Sequence, residues 1–170
     1  MQSQPTKPRG DNELTHDYRA NAFTLKHPDG WQDKTIFTLV GPVENGIQHN
    51  VIVALEADVP YASVRDFAEV QINAMVNELK SCRLLKKGAI SLANGLQAFQ
   101  AIYTWFPTDD LRIYQEHIYI LVDKTAYRLA ASFTKKTRKT LGPLVERMML
   151  SFEPGRPVAG SAAVSRKPTP

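Results

Sequence analysis

The side chains best able to do chemistry are scattered along the chain and do not fall at catalytic spacings. The four histidines are His16, His27, His49 and His117. They form no HxH or HExxH pattern, and the sequence has no GxSxG, P-loop or GxGxxG motif. Cys82 lacks a histidine partner, and Asp109 and Asp110 fall in a predicted hairpin turn. The sequence therefore predicts a protein that is not an enzyme, with no metal site and no cofactor.

Three polar side chains lie in otherwise apolar rows of predicted elements. Gln115 and His117 share a strand face with Ile113, and Gln71 lies on the apolar stripe of a predicted helix. A glutamine amide can donate to, or accept from, the backbone of a bound segment. Each residue also fits a structural role, as a satisfied core amide, a wetted strand edge or a core histidine. The sequence leaves both interpretations open.

These residues belong to a predicted order of strands, a helix, hairpin-linked strands and a second helix. The predicted strands cover residues 22–26, 35–40, 50–55, 83–86, 89–92, 96–106, 111–122 and 126–133. A Ser63–Asp66 capping box begins the first helix, and the second covers residues 139–151. Gly41-Pro42 is expected to break a strand, and Asn94-Gly95 to form a hairpin turn. The order predicts an α+β fold: one domain with an antiparallel meander and two main helices packed on it.

The two longest predicted strands, 96–106 and 111–122, carry apolar side chains on both faces. Antiparallel sheets often bury one face and expose the other to water, so apolar and polar residues alternate along each strand. These two strands lack that alternation. Two helices would cover one face but would not easily cover both. We therefore expect a second copy of the chain, or a bound apolar segment, on the other face. Coverage by loops and by the chain arms is the competing explanation.

The two ends of the chain differ from its middle. We expect residues 1–17 to form a flexible arm, residues 18–153 one domain and residues 154–170 a disordered basic tail. The tail carries Arg156, Arg166 and Lys167, hence three of the net +4 charges. The domain itself is near neutral, so nucleic acid is not an expected partner. The basic run at residues 135–139 is expected to be a solvated turn before the second helix, with phosphate binding as the lesser alternative.

The cysteine content and the hydropathy of the sequence indicate its cellular compartment. It has one cysteine, so no disulfide can form within the chain, which favours a reducing compartment. Its first residues lack the apolar stretch of a signal peptide, and no window approaches the ~18 apolar residues of a membrane span. We expect a cytoplasmic protein that does not insert into a membrane.

The segment FTLKHPDGWQDKT, which begins at Phe23, resembles the opening of the DcrB-related family. The fold of that family is similar to the Mog1 and PsbP proteins. The resemblance continues through the helix at Asp66-Phe67 and the meander that holds Leu111 and Gln115. Because the lipoprotein signal of DcrB itself is not found, the sequence looks most like the cytoplasmic Eag chaperones of bacterial type VI secretion.

This resemblance implies a homodimeric adaptor. It would shield the N-terminal transmembrane segments of a secreted effector and help to load that effector onto the spike protein. The implied client-binding groove is a concave sheet face built from aliphatic residues and glutamines. By position, its residues are Ile36, Thr38, Val53 and Gln115, with Gln71. Ile113 and His117, on the face of Gln115, complete the predicted set.

Two other functions compete with this one. A general protein-interaction domain of Mog1 type, without a membrane-helix client, is the main alternative. A neighbouring gene for an effector with N-terminal membrane helices would favour the chaperone. A small-molecule enzyme would need a deep polar pocket with titratable groups.

Overall fold

The computed structural model describes residues 16–19 and 23–155. The predicted arm lies outside those residues except for positions 16 and 17, and the predicted tail lies outside them except for Pro154 and Gly155. The described residues belong to two compact units: one holds the residues up to Gln32 together with Gly155, and the other spans Asp33–Pro154. The first unit contains an antiparallel pair of short strands, β1 (His16–Arg19) and β2 (Thr24–His27).

The second unit is built on a six-stranded antiparallel sheet. Its strands are β3 (Ile36–Glu44), β4 (Ile47–Glu56), β5 (Arg83–Ser91), β6 (Gln97–Thr108), β7 (Leu111–Val122) and β8 (Thr125–Phe133). They lie side by side in the order β3-β4-β8-β7-β6-β5, so β3 and β5 are the edge strands. Strands β5 to β8 form the predicted meander. The predicted α+β class is confirmed.

Three helices accompany the sheet: α1 (Val64–Glu78), α2 (Lys135–Thr140) and α3 (Gly142–Leu150). The predicted cap of α1 is present, since Ser63 Oγ accepts a hydrogen bond from the Asp66 backbone N–H at 3.1 Å. The prediction for the second helix was wrong at its start. The basic run is the helix α2, because Thr134 and Thr137 form a complete capping box before it. A new helix, α3, then begins at Gly142, and Pro143 lies in its first turn, where a missing N–H has no cost.

Two strand boundaries also differ from the prediction. Gly41-Pro42 does not end β3, which continues to Glu44 through an irregularity between Val40 and Val43. Proline is tolerated there because β3 is an edge strand, where a residue without an N–H need not break the ladder. The two strands predicted over residues 83–92 are the single strand β5. The Asn94-Gly95 turn is as predicted, with Gly95 at a φ of 85°.

The helices lie on opposite faces of the sheet, which corrects the expectation that they leave one face bare. On the face called here the α1 face, Phe67, Ala68 and Ile72 pack against Tyr103 and Tyr119. On the other, called the α3 face, Met149 lies in a cluster with sheet residues of β4, β6, β7 and β8. The long strands are apolar on both sides because each side meets a helix. The helix contacts concentrate on β5 to β8, at a distance from the β3 edge.

Candidate functional site

Strand register shows which of the predicted groove residues share a face. Residues opposite one another in an antiparallel ladder point to the same side of the sheet. Two cross-strand rows run over the α1 face, Ile36–Ala54–Arg128–Tyr119 and Thr38–Ile52–Ala130–His117. Gln115 and Ile113 continue along β7 on this face. The structure therefore brings five predicted residues to one side of the sheet, and Gln71 faces them from α1.

Val53 is not part of this surface. It lies opposite Phe37 and Leu129 and packs against the cluster on the α3 face. Side chains alternate between faces along a strand, so a shift of one position moves a residue to the other side. Its neighbour Ile52 occupies the corresponding place on the α1 face.

His117 lies within the core, with 1% of its surface exposed. Its Nδ1 is 2.9 Å from the Tyr119 hydroxyl, which is 2.9 Å from the Tyr103 hydroxyl. Burial, with a smaller contribution from the charge of Arg128, lowers the pKa of His117 to about 3. His117 is therefore a neutral member of a buried network, and a segment on the surface would not reach it.

Ile113 and Gln115 lie farther along β7, beside Trp105 of β6. Ile113 is buried, and Gln115 is half-buried. Gln115 Oε1 and Trp105 Nε1 are both shielded from solvent and have no hydrogen-bond partner within residues 16–19 and 23–155. The Gln115 side chain thus lies at the end of the surface formed by Ile36 and Thr38. Its Oε1 accepts no hydrogen bond from the described residues.

A cleft of about 180 Å³ separates α1 from the first strands of the sheet. Its lining residues are Lys34, Ile36, Ala54, Leu55, Glu56, Phe67, Gln71, Ala126 and Arg128. Ile36 and Gln71 are the two predicted groove residues that meet there. An ion pair between Lys34 and Glu56 lies at its rim. The lining thus combines five apolar side chains with the Gln71 amide, the Arg128 guanidinium and the Lys34–Glu56 ion pair.

The edge strand β3 is the most exposed apolar element of the second unit. Its exposed hydrophobic residues, with the exposed fraction of each, are Ile36 (61%), Phe37 (58%), Leu39 (61%), Val40 (68%) and Val43 (65%). Ile36 and Val40 point to the α1 face, whereas Phe37 and Leu39 point to the other. The opposite edge, β5, carries Arg83, Lys86 and Lys87, and such charges protect an edge from pairing with another chain. Strand β3 has only Glu44, at its end.

Reactive groups do not gather at this surface. Among the described residues, no three His, Cys, Asp or Glu side chains are placed to hold a metal ion. Burial raises the pKa of the Cys82 thiol, which disfavours the nucleophilic thiolate. In the described part of the chain, no helix is long and apolar enough to cross a membrane.

The family model for DcrB matches residues 23–148, which is most of the chain. This chain belongs to the DcrB family. The family prediction made from the opening segment and the meander is thus confirmed. Comparison with the curated proteins gave no match.

Solved structures are similar to this DcrB-family chain to different degrees. A protein of unknown function from Pseudomonas aeruginosa, PA94, superposes with a TM-score of 0.66 at 19% identity, over 83% of this chain and 97% of that one. The cyanobacterial PsbP of Synechocystis sp. PCC 6803 gives a TM-score of 0.49 at 13% identity, over 88% and 97% of the two chains. The Ran-binding protein Mog1p of Saccharomyces cerevisiae gives 0.41 at 13%, over 71% and 77%. At these identities the likeness to PA94 concerns the fold alone.

Sequence reasoning missed most of the exposed surface on β3. It selected Ile36 and Thr38 but not Phe37, Leu39 or Val43. A signal was present, because residues 36–43 contain no charged side chain. Arg128 of the cleft was also missed, since nothing in the sequence indicates that β8 lies beside β4.

Proposed function

We propose that this domain is a non-enzymatic chaperone and adaptor of the cytoplasm, which binds an apolar transmembrane segment from the N-terminus of a type VI secretion effector. The segment lies on the α1 face, between α1 and β3, and remains soluble there until the effector is loaded onto the spike protein. The observation that carries this proposal is the exposed apolar row of β3 beside a cleft whose lining is partly apolar. A surface of that kind commonly marks a binding site.

The energetics of such a complex favour this surface. A transmembrane helix presents ~20 apolar residues to water when it is outside a membrane. Burial of one Ile or Val side chain is worth about 1.5–3 kcal/mol. Ile36 and Val40 are largely exposed, so a bound segment would bury apolar surface on both partners. Recognition through apolar contact tolerates many client sequences.

Polar groups at the cleft would position the segment. The Gln71 amide and the Arg128 guanidinium lie among its lining residues. They can donate hydrogen bonds to the last carbonyl oxygens of a bound helix. These carbonyl oxygens have no hydrogen-bond partners within the helix itself. In this proposal His117 supports the sheet beneath the groove and does not contact the client, and Val53 supports it from the α3 face. Gln115 would bind at the far end of the segment.

A second candidate is a general protein-interaction domain whose β3 edge is closed by another copy of the chain. The observation that favours it is the exposure of Phe37 and Leu39 on the α3 face. A segment on the α1 face would leave both uncovered. Pairing of two β3 edges in a homodimer would cover them, and it is compatible with client binding on the α1 face.

Co-expression with the N-terminal segment of a neighbouring effector tests the proposal. We expect Ile36→Asp to abolish recovery of the soluble client, because the carboxylate would be desolvated against an apolar helix. The matched control is Val70→Asp, at an exposed valine of α1 that does not line the cleft. Circular dichroism would check that both variants fold. Equal client recovery by the wild type and Ile36→Asp would exclude the groove as the client site.

A further inference from the structure

A basic and aromatic patch lies on the α3 face, at the end of the sheet where β7 begins. Its residues are Phe106, Arg112, Tyr114, Lys135, Lys136, Arg138 and Lys139. Arg112 and Tyr114 are two positions apart on β7, so they point to the same side, and α2 packs against β7 beside them. The proposed client groove lies on the opposite face and contains none of these residues.

Aromatic rings hold both arginines of this basic and aromatic patch in place. The Arg138 guanidinium carbon lies 5.0 Å from the centre of the Tyr114 ring, and that of Arg112 lies 4.9 Å from the centre of the Phe106 ring. These distances are within the range of cation–π attraction, which fixes a guanidinium without using its N–H donors. Two planar donor groups are thus presented on one surface.

Helix α2 adds lysines around the Arg138 guanidinium. Lys135, Arg138 and Lys139 are spaced i, i+3 and i+4, so they lie on one side of the helix. With Tyr114 they line a cleft of about 350 Å³. Buried Thr137 points the other way and anchors the helix through its capping box with Thr134. The lysines are therefore held over the sheet by a short, well-capped helix.

Carboxylates do not neutralise this patch. Within residues 16–19 and 23–155, none of its five cationic groups has a carboxylate oxygen within 4.0 Å. Glu116 interacts electrostatically with Arg138, but not as an ion pair within 4.0 Å. Glu116 is half-buried, and its Oε1 accepts a hydrogen bond from Gln100 at 2.5 Å. Asp109, in the β6–β7 turn, is paired with Lys80.

We propose that the basic and aromatic patch docks an acidic segment, rich in Asp and Glu, of a second protein partner. Planar guanidinium groups match the two oxygens of a carboxylate, and the lysines add charge around them. A long polyanion such as nucleic acid fits less well, because the unit that spans Asp33–Pro154 has 14 Lys and Arg against 13 Asp and Glu. The chain would then carry two binding faces, an apolar one for a client and a basic one for an acidic protein.

Fluorescence anisotropy with a labelled poly-glutamate peptide tests this site on the full chain. We expect binding that weakens as salt is added, since exposed charges are screened. Lys135→Gln with Lys139→Gln should weaken it by about fivefold to tenfold, because each exposed charge pair contributes only modestly. The matched control is Lys86→Gln with Lys124→Gln, which removes the same charge from β5 and from the β7–β8 turn.

The outcomes separate this site from the client groove. Loss of peptide binding in the patch variant, with the control and Ile36→Asp unaffected, would support the assignment whether or not the client binds. No binding of poly-glutamate, or equal losses in the patch and control variants, would overturn it. Tighter binding of an oligothymidine strand or of anionic phospholipid vesicles than of poly-glutamate would also overturn it, in favour of a phosphate-bearing partner.

Discussion

At the scale of single residues, the buried polar network beneath α1 links His117, Tyr119 and Tyr103. Two hydrogen bonds of 2.9 Å join them, while His117 Nε2 has no hydrogen-bond partner in the part of the chain that the structure describes. Burial raises the pKa of Tyr119 to about 12, so both tyrosines stay protonated and can donate within the network. A buried polar group of this kind stabilises the fold only while its partners are in place.

His117 makes the stability of the domain depend on pH. Its pKa is about 3 in the folded protein and about 6.5 in an unfolded chain. Between those values the unfolded chain binds a proton that the folded one does not, so the free energy of unfolding falls as the pH is lowered. We expect this residue to contribute a slope of at most about 1.4 kcal/mol per pH unit.

Urea unfolding of the wild type and of His117→Asn between about pH 4 and about pH 7 measures that slope. Asparagine can keep a hydrogen bond to the Tyr119 hydroxyl but does not titrate. We expect the variant to show a shallower fall in stability on acidification. Identical slopes in the two proteins would show that His117 is not held neutral by the fold.

The residue scale also shows how far the sequence could predict the site. The structure brings Ile36, Thr38 and Gln71 to one side of the sheet, because apolar and polar positions follow the period of a strand or helix, and their role in client binding stays a prediction. Val53 was assigned to the wrong face, since the register between β3 and β4 depends on a bulge after Val40. The burial of His117 depends on α1 packing over β7, a long-range contact without a local signal.

At the scale of elements, the sequence alone did not reveal two features: the cap that begins α2 and the position of β3 at the edge of the sheet. The charge of the basic run at residues 135–139 suggested a solvated turn. Thr134 and Thr137, however, supply the hydrogen bonds that begin a helix there. The strand order was not predictable either. Nothing local shows that β4 lies between β3 and β8, and this order is what leaves β3 at the edge.

The two edges of the sheet should behave differently in self-association. Strand β3 offers Phe37 and Leu39, whereas β5 is protected by lysines and an arginine. We expect Phe37→Lys with Leu39→Lys to convert a concentration-dependent dimer into a monomer, because two charges would be buried against like charges in an isologous pair. Sedimentation velocity over a range of concentrations measures this.

The control for that experiment is Leu85→Lys, at an exposed leucine of the other edge, β5. It should leave the association unchanged. A wild type that remains monomeric throughout, or a dimer weakened equally by the change on β5, would contradict the pairing of β3 edges.

At the scale of the whole molecule, the fold gives the second unit two different surfaces. The helices on opposite faces bury the centre of the sheet on both sides, and the largest run of exposed apolar side chains in this unit lies on β3. The basic and aromatic patch lies on the α3 face, away from the cleft beside α1. A protein that must hold one partner while it is recognised by another would need such a separation.

The central claim is that an apolar segment binds between α1 and β3. Hydrogen–deuterium exchange of the chain, free and in complex with a co-expressed effector segment, tests it most directly. We expect slower exchange in β3 and in the part of α1 around Gln71, with β5 unchanged, because the bound segment would shield the groove from solvent and restrain local opening. Protection confined to β5, or to the basic patch around α2, would contradict the claim.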